Sequence, residues 1–210
     1  MHNRIERSTP QVGSADGTVE IMPTAPRAAI GVALILLLAM AGCAGGSYRP
    51  VSDVPVKIGG PYRIRGTTYV PAVDPAYDVL GYASWYGNES GKRTASGERF
   101  RANWVTAAHT TLPLPSYVEV TALDTGRRIV VRINDRGPFA GGARIIDLSR
   151  GAAEQLGIRV GGSAAVRVRL AEPSAKDRDR LRKGKPARQL PPIPERDRLN
   201  LRSQLTAAGF

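Results

Sequence analysis

Apolar and polar residues alternate in short runs through the middle of the chain. "GYASWYG" (Gly81 to Gly87) alternates. Tyr117 to Leu123 sets Val118, Val120 and Ala122 on one face, and Arg128 to Asn134 does the same with Ile129, Val131 and Ile133. Period-two alternation predicts half-buried strands. Asp124-Thr125-Gly126 supplies the turn that makes the second and third of these a hairpin. "ARIIDL" (Ala143 to Leu148) and "AAVRVRL" (Ala164 to Leu170) predict two more strands, and Tyr62, Ile64, Tyr69 and Val70 around Gly66 predict a short hairpin upstream. One helix is expected from Arg150 to Leu156, with Ser149 as its cap and Gly157 as its stop.

The upstream hairpin apart, these elements fall within residues 80–171. They predict a mainly β unit of six short strands with one or two short helices, closed or nearly closed into a barrel, since closure removes exposed strand edges. Residues 61–79 read as an N-terminal extension packing on that barrel. Residues 43–60, rich in Gly, Ser and Pro, read as a linker. From Glu172 to Arg202 the chain has ten basic and five acidic residues and five prolines. Segment 172–210 is therefore expected to be a basic tail, largely disordered, with a short helix near Glu195 to Leu205.

The apolar run "AAIGVALILLLAMAG" (Ala28 to Gly42) follows Arg27. It falls short of the roughly 20 residues a bilayer span needs. It fits the core of an export signal, so residues 1–42 read as a signal peptide, with Met22 an alternative start. The run ends in Met40-Ala41-Gly42-Cys43. Small residues before a cysteine resemble a bacterial lipobox, which makes Cys43 the expected lipidation site. Ala44, not Asp, follows it, and by resemblance to Gram-negative lipoproteins this favours the periplasmic face of the outer membrane.

The net charge is +12, and the leader contributes none of it, because Arg4, Arg7 and Arg27 balance Glu6, Asp16 and Glu20. A basic exported protein is drawn to polyanions. Outside the cytoplasm, cell-wall glycan, lipid headgroups and lipopolysaccharide fit, and nucleic acid does not. Cys43 is the only cysteine, which excludes an intramolecular disulfide. A single Cys and so few His cannot make the usual zinc set. Neither a GxxxxGK loop nor a GxSxG elbow occurs. No cofactor and no metal are expected.

Candidate chemistry is sparse. "NESGKRTASGERF" (88–100) is a long polar loop, and such loops are often functional. His109 is the only histidine after the leader. Most acids have ordinary readings: Glu119 on a strand's polar face, Asp124 in a turn, Asp147 bonding backbone N–H groups at the start of the helix. Glu98 and Asp135 differ, each lying at a break in a Gly-rich segment. Even so, Asn134-Asp135-Arg136-Gly137 is ordinary turn chemistry, and local chemistry alone makes Asp135 a turn residue. Trp85, Tyr86, Trp104 and Tyr117 are candidates for packing on sugar faces, against a core-packing alternative.

"GYASWYG", "RTASGERF", "TAAHTTLPL", "VRINDRGPF" and "RIIDLSRGAAEQLG" occur in this order. Together, over about residues 59–171, they closely resemble the rare lipoprotein A family of lytic transglycosylases. The resemblance implies a six-stranded double-psi β-barrel with a groove for peptidoglycan glycan strands. It implies Asp135, His109 and Glu98 as catalytic residues, with Tyr86, Arg136 and Ser96 as substrate contacts. The implied reaction cleaves the bond between N-acetylmuramic acid and N-acetylglucosamine, forming a 1,6-anhydro ring. The alternative is a non-catalytic, expansin-like wall-binding or wall-loosening lipoprotein on the same barrel. Expected partners are peptidoglycan strands, a membrane through the lipid at Cys43, and cell-division or wall-synthesis proteins. Many relatives carry a second glycan-binding repeat domain, which residues 172–210 are too short and too polar to form.

Overall fold

The computed structural model describes residues 51–87 and 91–210. The leader 1–42, Cys43 and residues 44–50 of the linker lie outside the described residues, as do positions 88–90 of the polar loop.

Strands β1 (Tyr62–Ile64) and β2 (Thr67–Tyr69) form the expected hairpin, with Tyr62 opposite Tyr69. Its two turn residues, Arg65 (φ 50°) and Gly66 (φ 85°), are both left-handed, which suits the right-handed twist of the flanking strands. Six further strands close into a barrel: β3 (Asp78–Tyr86), β4 (Thr106–Ala108), β5 (Ser116–Ala122), β6 (Arg128–Asp135), β7 (Arg144–Ser149) and β8 (Ser163–Leu170). Their order around it is β3-β7-β4-β6-β5-β8. Pairs β3/β7 and β4/β6 are parallel, and the other four are antiparallel. The alternating apolar positions converge inside, where Val118, Val120, Val131, Ile133, Ile146, Leu148, Val166 and Val168 are fully buried.

Strand β4 is the one the sequence conceals. Thr106-Ala107-Ala108 is only three residues long and wholly buried, so it shows no alternation. Pairing with β6, parallel, on one side and with β7, antiparallel, on the other selects it within the closed barrel; local pattern does not. Helix α1 (Arg150–Leu156) forms where expected. Ser149 Oγ accepts from the Ala152 N–H, and Gly157 ends the helix at φ 84°. Gly151 admits no side chain, because a Cβ there would lie 2.4 Å from the Asn103 carbonyl oxygen.

The C-terminal segment departs from expectation. It is not largely disordered: it carries helix α2 (Ala175–Arg182) and helix α3 (Glu195–Ala207). Leu181 of α2 enters the main core fully buried. Leu205 of α3 packs with Leu123 and Ala165 in a second cluster, against Leu80, Tyr82 and Leu201. Between the helices, Ile193 N–H donates to the Gly126 carbonyl (2.9 Å) and Arg128 Nε to the Pro191 carbonyl (2.8 Å). Mean composition misled here. A few well-spaced leucines find barrel pockets, and burying one side chain contributes about 1.5–3 kcal/mol. The linker is likewise not free along its described part. Lys57 pairs with Leu114, and Ser52 and Asp53 bond the barrel.

Candidate active site

The end of β6 is irregular, and the irregularity makes the site. Against β4, the register runs Ala107↔Ile133 and then Ala108↔Asp135, so Asn134 is an extra residue. A bulge of this kind re-aims the side chain that follows it. Ser96 N–H takes up the freed Asn134 carbonyl (3.1 Å). Ala95 N–H donates to Asp135 Oδ1 (2.8 Å), and Asn134 Nδ2 donates to Glu98 Oε2 (2.9 Å). The "TASGE" segment of the polar loop is thus stitched to "IND" of β6, some forty residues away.

Beneath this stitch lies Arg132, fully buried. Its Nη1 donates to both Glu98 oxygens (2.7 and 2.9 Å), its Nε to Asp53 Oδ1 (3.0 Å) and its Nη2 to the Ser52 carbonyl (2.8 Å). Burial alone would lower its pKa, but the two carboxylates outweigh that and raise it. Tyr117 Oη closes the network on Asp53 Oδ2 (2.7 Å). Sequence reading missed Arg132 and Asp53. The one available signal was a charged residue inside an apolar strand.

Asp135 is half-buried at the mouth of this network. Burial raises its pKa. Hydrogen bonds from the Ala95 and Arg136 N–H groups and the nearby Arg136 charge oppose the rise, and Glu98 adds to it. Both backbone bonds fall on Oδ1. Oδ2 accepts none of the hydrogen bonds found among the described residues, and it is the oxygen free to hold a proton.

His109 does not bond the Asp135 carboxyl. Its Nδ1 accepts from the Thr111 and Leu112 N–H groups (3.2 and 3.0 Å), which leaves the proton on Nε2, 2.7 Å from Tyr77 Oη. Buried and beside Arg136, the imidazole has its pKa pushed down to about 4. It is a neutral tie. Only its backbone reaches the site, donating to the Asp135 carbonyl (3.0 Å). Arg136 spends its guanidinium on three carbonyls, those of His109, Leu112 and Ile58, and it does not pair with Asp135.

The remaining expected contacts divide. Ser96 Oγ shares a hydrogen bond with Thr94 Oγ1 (2.9 Å) beside Asp135. Tyr86 stacks on Phe100 (centroids 5.1 Å, 29°), so one face of its ring is covered, and its hydroxyl is enclosed with no hydrogen-bond partner among the described residues. Trp85 Nε1 donates to the Arg159 carbonyl, Tyr117 is buried, and the Trp104 ring lies against Gly184, where a Cβ would collide with it at 2.2 Å. A separate aromatic group gathers around Tyr62, which lies near Arg136. Phe139 meets Tyr62 and Tyr69 edge-on (6.0 and 5.6 Å), and those two stack at 5.3 Å. Asp147 does not bond the start of α1, a task Ser149 performs. It accepts from Ser84 Oγ and faces Arg144 Nε at 3.8 Å.

Among the described residues no group of three or more His, Cys, Asp and Glu side chains could hold a metal ion. A cavity of about 800 Å³ lies elsewhere, at the start of β6 and against α2, lined by Arg127, Arg128, Lys176, Arg180 and Arg188. It is polar and basic, and it stands at the opposite end of β6 from Asp135.

Residues 78–168 match a family model described as lytic transglycolase. The chain is similar to the endolytic peptidoglycan transglycosylase RlpA of Pseudomonas aeruginosa (51% identity over 115 residues, 54% of this chain and 33% of the relative). Proteins of the same name from Rickettsia bellii (45%; 53% and 51%) and Neisseria meningitidis (48%; 51% and 45%) are also similar. The chain therefore spans a third to a half of the length of these three relatives. Among solved structures, the Streptomyces papain inhibitor (22% identity, TM-score 0.37, 46% of this chain and 96% of that one) resembles the barrel. So does an expansin of Clavibacter michiganensis (15%, 0.38, 47% and 52%). At these TM-scores neither likeness carries functional weight.

Proposed function

We propose, from a barrel that belongs to the rare lipoprotein A family, that this protein is a lytic transglycosylase of peptidoglycan. It would cut between N-acetylmuramic acid and N-acetylglucosamine and leave a 1,6-anhydro end. The observation that carries the reading is Asp135: one carboxyl at a barrel rim, its pKa raised by burial, one oxygen fixed by two backbone N–H groups and the other open.

The chemistry follows from that arrangement. A general acid works best when its pKa lies near the operating pH, and burial moves Asp135 in that direction. Its proton goes to the glycosidic oxygen as the bond from the muramyl C1 breaks. The muramyl C6 hydroxyl then attacks C1, the C1–O6 bond forms, and the hydroxyl proton returns to the Asp135 carboxylate. An internal nucleophile removes the need for a carboxylate that activates water. The Glu98–Arg132–Asp53 network and the His109–Tyr77 tie hold the acid in position, and neither transfers a proton. The stacked pair Tyr62 and Tyr69, with Phe139 four residues beyond the acid, offers aromatic surface for sugar rings.

Lipidation at Cys43 and a position on the periplasmic face of the outer membrane belong to the same reading. The basic cavity and the +12 charge suit electrostatic attachment to the wall, or to partners that build and divide it.

Purified full-length protein incubated with sacculi is expected to release anhydromuropeptides, detected by mass spectrometry, and Asp135→Asn is not. An Asn variant as active as wild type defeats the mechanism. Sedimentation with sacculi and no release from wild type would point to the wall-binding alternative. Cys43→Ser should abolish palmitate labelling, and unchanged labelling would defeat the anchor.

A further inference from the structure

Four neighbouring strands set four residues in one line. Ser84 of β3 pairs with Asp147 of β7, Asp147 with Ala108 of β4, and Ala108 with Asp135 of β6. Directly paired residues project to the same face of a sheet. Neighbouring strands lie about 4.8 Å apart, so the backbones of Asp135 and Asp147 stand roughly 10 Å apart with Ala108 between them. Gly137 comes back over the middle of this line. A Cβ built on it would sit 3.6 Å from Ala108 Cβ and 3.7 Å from Asp147 Oδ2. The residues between the two acids are thus a methyl group and a glycine, and the φ of 145° at Gly137 disfavours any larger residue there.

Asp147 is reachable, with 19% of its side chain exposed. Ser84 Oγ–H holds its Oδ1, while Oδ2 turns toward Gly137. Glu98, the other carboxylate near Asp135, has both oxygens committed to Arg132 and Asn134. Tyr86, two residues beyond Ser84 and so on the same face, brings an independent sign that the space between the acids takes a ligand. Its enclosed hydroxyl has no hydrogen-bond partner among the described residues, and it lies in the field of both Asp135 and Asp147.

We propose that Asp147 is a second catalytic carboxylate, which faces the muramyl ring across from Asp135 and stabilises the positive charge that develops on C1 and the ring oxygen. The inference rests on the transglycosylase reading and adds to it. Asp147 forms and breaks no bond. The proton still passes from Asp135 to the leaving oxygen, and the C6 hydroxyl still returns one to Asp135. Carboxyl pairs about 6.5–9.5 Å apart flank the sugar in glycosidases that admit a water between them. Here the sugar's own hydroxymethyl arm takes the place of that water. A preorganised charge aimed at a charge that appears only in the transition state speeds the reaction without tightening ground-state binding.

The test compares Asp147→Asn, Ser84→Ala and Asp135→Asn in full-length protein, with anhydromuropeptide release, cosedimentation with sacculi and thermal midpoint all measured. Asp147→Asn should lower the release rate by about a hundredfold or more. Its cosedimentation and thermal midpoint should match wild type. Ser84→Ala breaks the same hydrogen bond but keeps the carboxylate, so it should stay within about tenfold of wild type. Should Asp147→Asn fail to fold, Asp147→Glu serves instead, since it keeps the charge and should keep measurable turnover. An Asp147→Asn enzyme within about threefold of wild type overturns the inference. Equal losses in Asp147→Asn and Ser84→Ala, with a falling midpoint, also overturn it, because they mark a structural role. If Asp135→Asn is dead while Asp147→Asn is active, only this inference fails. If Asp135→Asn is active, the underlying reading fails with it.

Discussion

Arg132 is fully buried, and its Nη1 lies 2.7 and 2.9 Å from the two carboxylate oxygens of Glu98. The pair joins the polar loop to the strand that carries Asp135, so Glu98 acts on the site through Arg132. Breaking a buried ion pair from one side leaves an uncompensated charge, at a cost of about 3–5 kcal/mol. Glu98→Ala is expected near the lower figure, because Asp53 still faces Arg132, and Glu98→Gln should cost less. Urea unfolding checks both, and an unchanged midpoint for Glu98→Ala would contradict the assignment.

Asp135 carries the opposite sign. Its folded pKa is raised, so the folded protein holds this proton more tightly than the unfolded chain does. Ionisation therefore opposes folding as pH rises through the window above the ordinary carboxylate value. Asp135→Asn should be at least as stable as wild type at neutral pH, and the gain should vanish below about pH 4. The same substitution should cut turnover by about 10²–10⁴-fold. Thermal melts at pH 4 and pH 7, beside product release, read both effects, and a variant less stable only at pH 7 would reverse the sign.

His109 gives the chain an acid sensitivity of its own. Its pKa falls from 6.5 to about 4 on folding, so the unfolded chain binds the proton first. The stability this group contributes is complete above pH 6.5 and is lost as pH falls through the folded value. Asn at this position can present an oxygen to the Thr111 and Leu112 N–H groups without titrating. His109→Asn should thus be less stable at pH 7 yet show a flatter melting temperature between pH 6.5 and 4. A parallel pair of curves would exclude the imidazole as the cause.

The C-terminal helices belong to the barrel's core energetically. Leu181→Ala removes a fully buried side chain and should cost about 2–5 kcal/mol, and Leu205→Ala should cost somewhat less, its cluster being smaller. Chemical denaturation measures the loss. Unchanged midpoints for both would mean that segment 172–210 contributes nothing to the fold.

Much of the barrel was legible because its strands alternate. Val118 to Ala122 and Ile129 to Ile133 needed only a period of two, and Ser149 with Gly157 bounded α1 to the residue. The site was legible only through its motifs. Asp135 reads locally as a turn, and nothing in "RTASGE" says which strand it will meet. Asp147 was misread for the same reason: two residues before a helix it looks like a cap, yet strand pairing gives it Ser84. Tyr62, Tyr69 and Phe139 are separated by up to 77 positions and come together only when the hairpin packs on the rim.

The sequence by itself determined which residues face inward, where the chain turns, and which few acids stand at Gly-rich breaks, since all of these follow from spacing and backbone preference within a few residues. The tertiary structure decided the partners. It buried Arg132 between Glu98 and Asp53, sealed His109 as a neutral tie, folded two helices from a polar tail, and aligned Asp147 with Asp135 across β4. Those outcomes depend on desolvation and on pairing between distant strands, and neither exists until the barrel closes.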